Sequence, residues 1–546
     1  MLLLLPVLVV PAAFFVPAGE TWQRLPQTVL PEYVMNTVAV AVAVPAAAGV
    51  VGTALAWLTT RYEFPGRHAL TAVAVLPLAV PSYIAAYSYS GLLDYTGPLQ
   101  AGLRALGVLA RPGASDGGVV LERVHLLPVA SLPGLIVILT LVLYPYVFLT
   151  ARAAFQLRSE RLLEAAQSLG AGDRLFLRVA LPAARPAVAG GMLLVLMETV
   201  ATYGAPQYLG VDTLTVGIFR SWFGSGSVPT ALRLAALLLL LVLVATGMER
   251  AGRGRARFDE AATGIGARRM ERKPLSRLHA RVLVSAFGWF PPVLGFAVPV
   301  LLLLYWLTGS VGRLELAPSI LESLRGTAVA AASAAVAAVA IGVGFAWVGR
   351  PAGRPSRPLS GLLTASSSGY AVPGAVIAVG VLAVTTGVDR LAIPAVDIVL
   401  GVAPRGVLTG SFVALVYAYV VRYLAVAYKP IAGGLAGVGP NPEAAARSLG
   451  RSPRETFAAV HLPLGWGAYV AAFVLVFVDV AKELPLTLVL RPFDFRTLAV
   501  EAFALASDER LAEAAPPSLL LVCLGVLGLG IGSKAMRAGG GLVGKR

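Results

Sequence analysis

The chain has 546 residues, of which 57% are hydrophobic and only 13% are charged. Soluble domains are roughly half apolar and a quarter charged, so this composition excludes an ordinary soluble protein and indicates a polytopic membrane protein. The formal net charge is +16. We attribute the positive charge to loops beside the anionic lipid bilayer, with no nucleic acid as a partner.

Eleven apolar runs are long enough to cross the roughly 30 Å hydrocarbon core of a bilayer, and a shorter first run brings the total to about twelve. That first run lacks a basic flank, so it is either a membrane span or a cleaved signal peptide. The fold class predicted is all-α, with six spans in each half. The runs lie near residues 2–16, 34–58, 69–93, 133–151, 187–203, 231–248, 282–308, 327–349, 360–386, 407–428, 467–484 and 517–534.

Two polar segments stand out from this apolar background, one in each half. We call residues 164–182 the first docking segment and residues 443–463 the second. Each begins with Glu-Ala-Ala, continues to Ser-Leu-Gly and ends with Leu-Pro before an apolar run. Because loops on the side of these segments hold most of the Lys and Arg residues, both segments are predicted to be cytoplasmic.

Each docking segment is predicted to form two short surface helices separated by a glycine, Gly170 or Gly450, in a left-handed C-terminal cap. In the second segment, residues 452–455 fit a capping box with proline at the first helical position. Asp173 is predicted to cap the corresponding helix in the first segment. Apolar side chains predicted to face a partner are Leu169, Phe176, Leu449 and Phe457.

Further matches extend the repeat beyond the docking segments. Thr37 and Trp57 match Thr327 and Trp347 at the same separation, and Ala-Val-Pro occurs at 79–81 and again at 371–373. An even number of spans separates the copies, so they have the same orientation in the membrane. We therefore predict two permease-like domains, 1–250 and 282–546, joined by a basic cytoplasmic linker at 251–281.

Charged residues inside apolar spans are costly and often functional. Aligning the two halves places Glu198 opposite Lys482, and we predict that this pair, with Asp479 and Glu483, forms a gate in a central pathway. The alternative is a static buried pair that fixes helix packing. Arg422 is predicted to reach the membrane surface or a backbone carbonyl.

The sequence does not identify a metal site or substrate ligands. Cys523 is the only cysteine, and the four histidines are scattered and predicted to be solvated or interfacial. The C-terminal residues 539–546 imitate a phosphate-binding loop, but Arg546 stands where Ser or Thr is required. No cofactor is expected on this chain.

The docking segments resemble the Glu-Ala-Ala loop of the permease subunits of binding-protein-dependent ABC importers. Almost the whole chain resembles the fused two-domain permeases of the ferric-iron importer family. The motifs that carry this second resemblance lie at residues 78–83, 197–199, 208–213, 479–485 and 506–510.

This resemblance implies a permease of the cell inner membrane, not an enzyme, that forms the pathway for ferric iron delivered by an extracytoplasmic iron-binding protein. It also implies two copies of a cytoplasmic ABC ATPase, which hold the ATP and magnesium. The residues that it assigns to ATPase coupling are Glu164, Ala165, Ala166, Leu169, Gly170, Pro182, Glu443, Ala444, Ala445, Leu449, Gly450 and Pro463.

Other functions remain open. The same machine can carry thiamine or another small solute, since fused thiamine permeases look similar. A secondary transporter also has repeats, but it requires intramembrane ion-coupling carboxylates and no ATPase. An ion channel fits less well, because no Gly-rich filter-like repeat is present.

Overall fold

The computed structural model describes residues 2–15, 17, 19–106, 129–157, 168, 175–253, 272–275, 277–310, 317–349, 369, 372–400, 406–436 and 441–541. Nearly all of these residues are helical, and the strands among them are β1 (Tyr62–Glu63) and β2 (Lys273–Pro274), paired in parallel. The predicted all-α fold is confirmed.

The first half of the described chain begins with short helices and continues with long apolar ones. Its α-helices are α1 (Leu5–Ala12), α2 (Glu20–Arg24), α3 (Leu30–Arg61), α4 (Arg67–Val73), α5 (Ser82–Leu93), α6 (Pro98–Ala105), α7 (Leu132–Leu157), α8 (Leu181–Ala201), α9 (Gly204–Tyr208), α10 (Leu214–Phe223) and α11 (Val228–Arg253). Turns of 3-10 helix lie at Leu2–Leu4, Ala13–Phe15, Leu25–Gln27 and Leu76–Ala79, and a π-helical turn lies at Phe176–Ala180.

The second half repeats this arrangement. Its α-helices are α12 (Leu278–Pro292), α13 (Val298–Ser310), α14 (Ala317–Val348), α15 (Gly374–Leu400), α16 (Phe412–Ala436), α17 (Asn441–Ser448), α18 (Pro453–Thr456), α19 (Leu462–Leu464), α20 (Trp466–Ala481), α21 (Pro485–Leu490), α22 (Leu498–Ser507) and α23 (Leu511–Gly541). π-helical turns lie at Val293–Ala297 and Phe457–His461.

Among the described residues, nine helices are long and apolar enough to cross a bilayer, and three bent pairs raise the number to 12. These helices coincide with the twelve predicted runs, although part of the run at 360–386 lies outside the described residues. The bent pairs are Leu2–Phe15 with Glu20–Gln27, Arg67–Ala79 with Ser82–Ala105, and Pro453–Leu464 with Trp466–Ala481.

The apolar run predicted at 69–93 is not one straight helix. The chain bends by 95° between Ala79 and Ser82. Pro81 lacks an N–H group and its ring disfavours a helical residue before it, so the helix ends there and α5 begins immediately afterwards. In the second half, α15 likewise begins immediately after Pro373.

Contacts divide the chain into two compact units. The N-terminal unit comprises Pro26–Val216 and Leu240–Gly309, and the C-terminal unit comprises Met1–Leu25, Gly217–Leu239 and Ser310–Arg546. Each unit therefore takes in a segment from the other half of the sequence. The limits of these units differ from those of the sequence repeats at 1–250 and 282–546, and residues 254–271 of the predicted linker lie outside the described residues.

The core of the N-terminal unit is formed by α3, α7 and α8. Small residues let these helices approach closely, as is common in membrane bundles. A Cβ atom on Gly52 of α3 would lie 2.8 Å from the Phe148 nitrogen and the Tyr144 oxygen of α7. The backbones of the two helices are therefore in direct contact there.

The core of the C-terminal unit is formed by α14, α16 and α20, with a face of small alanines on α14 that includes Ala331 and Ala335. The N-terminal helix α1 packs on α15 in the same unit. Tyr417 donates a hydrogen bond to the Leu2 carbonyl at 2.6 Å. Residues 2–15 thus form a packed helical segment, and the choice between a first span and a cleaved signal peptide stays open.

The two halves repeat at the level of single hydrogen bonds. The hydroxyl of Thr37 accepts a bond from the N–H of Leu214 at 2.8 Å, and the hydroxyl of Thr327 accepts one from Leu498 at the same distance. Both threonines are buried. These equivalent bonds, each between residues far apart in sequence, confirm the internal repeat.

The repeat also includes an aromatic contact at each docking segment. Trp57 packs on Phe176 with ring centroids 5.2 Å apart, and Trp347 packs on Phe457 at 4.6 Å. In both halves the phenylalanine begins the π-helical turn. Each long membrane helix, α3 or α14, therefore contacts its own docking segment through a tryptophan.

Replacing Thr37 by valine is expected to lower the free energy of unfolding by about 1–3 kcal/mol, because the buried N–H of Leu214 loses its acceptor. Thr327→Val is expected to have the same effect through Leu498. Thr59→Val is the matched control, since this equally buried hydroxyl donates only to carbonyls of its own helix. Thermal unfolding of the detergent-purified chain measures all three, and a control as damaging as the other two variants would contradict this explanation.

Candidate functional site

The second docking segment forms the predicted pair of surface helices. Its first helix, α17, contains Glu443, Ala444 and Ala445. Gly450 ends the helix with φ +77°, and its N–H bonds to the Arg447 carbonyl at 2.9 Å. This left-handed conformation favours glycine, so the predicted C-terminal cap is confirmed.

The predicted capping box is also confirmed. Ser452 donates its backbone N–H to the Glu455 carboxylate at 2.8 Å, and its hydroxyl accepts the Glu455 N–H at 3.4 Å. Pro453 occupies the start of α18. After the π-helical turn, Pro463 lies in α19, and the chain bends by 68° into the membrane helix α20.

The predicted apolar contact residues differ in their exposure. Leu449 is 79% exposed, which leaves it available to a partner. Phe457 and Phe176 are half-buried, because both rings pack on tryptophans of their own unit, and their contact with a partner stays a prediction. The sequence pattern predicts an apolar residue at the start of the helix. It does not indicate whether the ring faces the protein interior or a partner.

The first docking segment is only partly described. Glu164, Ala165, Ala166, Leu169, Gly170 and the capping residue Asp173 lie outside the described residues. Pro182 occupies the first turn of α8, directly after the π-helical turn. The coupling role of these residues stays a prediction.

His461 is a feature of the second docking segment that the sequence interpretation missed. The prediction of a solvated or interfacial histidine is wrong, because His461 is 2% exposed. Its Nε2 lies 3.6 Å from Oε2 of Glu443, and Glu443 also pairs with Arg447 at 3.0 Å. Glu443 therefore lies at the contact between the docking helix and the protein interior.

The charged residues predicted for the gate lie at the ends of α8 and α20. Lys482 Nζ lies 3.8 Å from Asp479 Oδ1, one turn away on the same chain segment. Glu198 lies in the last turn of α8, where its carbonyl accepts the Thr202 hydroxyl at 2.7 Å. A Glu198–Lys482 pair joins residues of the two different units, and it stays a prediction.

Glu483 belongs to a buried polar cluster in the C-terminal unit. Oε1 lies 3.3 Å from Arg422 Nη1 and accepts the Leu486 N–H at 3.1 Å. The Tyr423 hydroxyl donates to Oε2. A carboxylate held by three donors at a helix start fixes the break between α20 and α21.

The prediction that Arg422 reaches the membrane surface is therefore wrong. Its side chain pairs with Glu483, and both side chains are at most 8% exposed. The signal was present in the sequence as two opposite charges in neighbouring apolar runs. The sequence did not indicate that α16 packs on α20, which is the contact that brings the two charges together.

Within the described residues, no group of three or more His, Cys, Asp or Glu side chains is placed to hold a metal ion. The candidate site in this part of the chain consists of the second docking segment and the charged residues at the ends of α8 and α20.

Comparison with known proteins gives matches that agree with this architecture. Residues 48–255 match the family described as the binding-protein-dependent transport system inner membrane component. The Fe(3+)-transport system permease protein FbpB 2 of Haemophilus influenzae is 26% identical over 90% of this chain and 87% of its own length.

Other relatives match a smaller part of the chain. The sulfate transport system permease protein CysT of Salmonella typhimurium is 29% identical over 38% of this chain and 72% of its own length. The spermidine/putrescine permease PotB of Haemophilus influenzae is 30% identical over 36% of this chain and 66% of its own length. Residues 48–255 are thus similar to the inner membrane components of binding-protein-dependent transport systems, and the apolar helices of the described chain fit a multi-pass permease of the ABC importer type.

Proposed function

We propose that this chain forms the translocation pathway of an ATP-driven importer for ferric iron, which an extracytoplasmic binding protein delivers. The observation that supports iron most is the extent of similarity to the Fe(3+)-transport permease, which covers both halves of the chain. The sulfate and polyamine permeases match less than two fifths of it.

The charges near the helix breaks also favour a cation. Apart from the buried Arg422–Glu483 pair, the residues predicted for the gate are the carboxylates of Glu198 and Asp479 and the Lys482 amine, which together carry one net negative charge. A negative local field raises the concentration of cations and lowers that of anions such as sulfate. An iron pathway along these residues is therefore favoured over a sulfate pathway.

Two copies of a separate cytoplasmic ATPase are proposed to supply the energy, with ATP and magnesium bound on them. The second docking segment supports this role, because it presents the exposed Leu449 beside the charged Arg447, which is a surface suited to a protein partner. The coupling residues predicted in the first segment would supply the second contact.

Uptake of radiolabelled solutes tests the substrate. Cells that express the chain with its cognate ATPase and binding protein receive ferric iron, thiamine, sulfate or spermidine in parallel, and cells without the chain are the control. Uptake of iron alone is the expected result. Uptake of another solute without iron would retain the importer architecture and overturn the substrate.

A further inference from the structure

His461 lies where the second docking segment meets the membrane helices. Its ring is edge-on to Trp347 of α14, with centroids 5.7 Å apart, and nearly parallel to Phe457 at 6.5 Å. Its carbonyl accepts the Tyr469 hydroxyl of α20 at 3.0 Å. One residue thus contacts both α14 and α20, which belong to the core of the C-terminal unit.

The same side chain also contacts the docking helix. The distance of 3.6 Å between His461 Nε2 and Glu443 Oε2 is within ion-pair range. Glu443 lies in the first turn of α17 and is 18% exposed at its side chain. Since α17 has only eight residues, a polar contact to its first turn restrains the orientation of the whole helix.

The equivalent position of the first docking segment is occupied by Ala180. Ala180 ends its π-helical turn and precedes Leu-Pro, as His461 does in the second segment. Ala180 is buried too, but its methyl group offers no polar atom. The contact between docking helix and interior through this position is therefore a property of the second half.

We propose that His461 is a positioning residue that holds the docking helix α17 against α14 and α20. Movement imposed on Glu443 by the ATPase then reaches the membrane helices through the polar contact with the residue 461 side chain and through its backbone, which binds the Tyr469 hydroxyl. This role rests on the proposed coupling function of the docking segment. It gives the second docking segment a polar contact that Ala180, at the equivalent position of the first segment, cannot make.

Two substitutions separate this positioning role from simple packing. His461→Phe keeps an aromatic ring beside Trp347 and Phe457 but removes the polar contact to Glu443. His461→Gln loses the ring but places an amide where Nε2 was. A packing role predicts that Phe is tolerated and Gln is harmful, whereas the positioning role predicts the reverse.

The first readout is the mobility of a spin label on the docking helix. Leu449→Cys in a Cys523→Ser background provides a single labelling site on the purified full chain. The label is expected to become more mobile in His461→Phe and to stay near the parent value in His461→Gln. Equal mobility in all three chains, or greater mobility only in His461→Gln, would overturn the proposal.

The second readout is the number of ATP molecules hydrolysed per iron ion transported in proteoliposomes with the ATPase and binding protein. His461→Phe is expected to raise this ratio by roughly threefold, the scale of one contact in a coupling network. An unchanged ratio would overturn the coupling role. Because the spin-label readout needs neither ATPase nor substrate, failure of the proposed function remains distinguishable from failure of this proposal.

Discussion

Replacing Gly374 by alanine is expected to destabilise the protein by about 3–5 kcal/mol, the usual cost of breaking a buried ion pair. Gly374 begins α15, and a Cβ atom there would overlap Nη1 of Arg422 and lie 3.1 Å from Glu483 Oε1. The guanidinium must therefore shift, which weakens its pairing with the buried Glu483 carboxylate. Thermal unfolding in detergent measures the loss.

Gly387→Ala is the matched control, because this glycine lies on the same helix and a Cβ atom there meets nothing within 4 Å. Its stability is expected to be unchanged or slightly raised, since alanine favours helix more than glycine does. Equal stability of the Gly374→Ala and Gly387→Ala chains would contradict the proposal that the Arg422–Glu483 pair stabilises the protein.

The same cluster permits a test that does not depend on glycine. Arg422→Met alone leaves the Glu483 carboxylate buried without its cation and is expected to be strongly destabilising. The double change Arg422→Met with Glu483→Gln is expected to be milder, because no buried charge remains and the amide oxygen still accepts from Leu486. A double variant that is worse than Arg422→Met would argue against an ion pair.

Substituting Gly450 by arginine is expected to reduce transport at least about tenfold, which corresponds to a loss of ~1.4 kcal/mol in docking free energy. Gly450 has φ +77°, where side chains other than glycine are strained, and it lies beside the exposed Leu449. The bulky side chain both disturbs the cap and blocks the surface proposed to bind the ATPase. Co-purification of the ATPase and solute uptake measure the effect.

Gly410 provides the control for backbone strain. It has φ +73°, and like Gly450 it has open space around its Cβ position. Alanine at either position is expected to cost about 1–2 kcal/mol of stability, since both adopt the left-handed conformation. Only the Gly450 change is expected to weaken ATPase binding, and an equal loss from Gly410→Ala would assign the effect to global stability.

The membrane helices could be predicted from the sequence because a span needs only a long apolar run. The break at Pro81 could not be predicted from the sequence. Prolines also occur inside continuous helices, such as Pro45 in α3, so the presence of a proline does not by itself indicate a break. A proline bends or breaks a span according to whether neighbouring helices provide hydrogen-bond partners for the backbone groups that it leaves unbonded.

The second docking segment was predicted in detail because its signals are local. A glycine at a helix end and a Ser-Pro-Arg-Glu capping box act within a few residues, and both appear at Gly450 and Ser452. The partners of Arg422 and His461 were missed for the opposite reason. Glu483 and Glu443 lie far from them in sequence or on another helix, and only tertiary packing brings them together.

Reconstitution with and without the ATPase tests the central claim most directly. The purified chain in proteoliposomes, with binding protein and labelled ferric iron outside, receives ATP on the side of the docking segments. We predict iron accumulation only when the ATPase subunit and ATP are both present. Accumulation driven by a proton or sodium gradient with this chain alone would identify a secondary transporter and contradict the account.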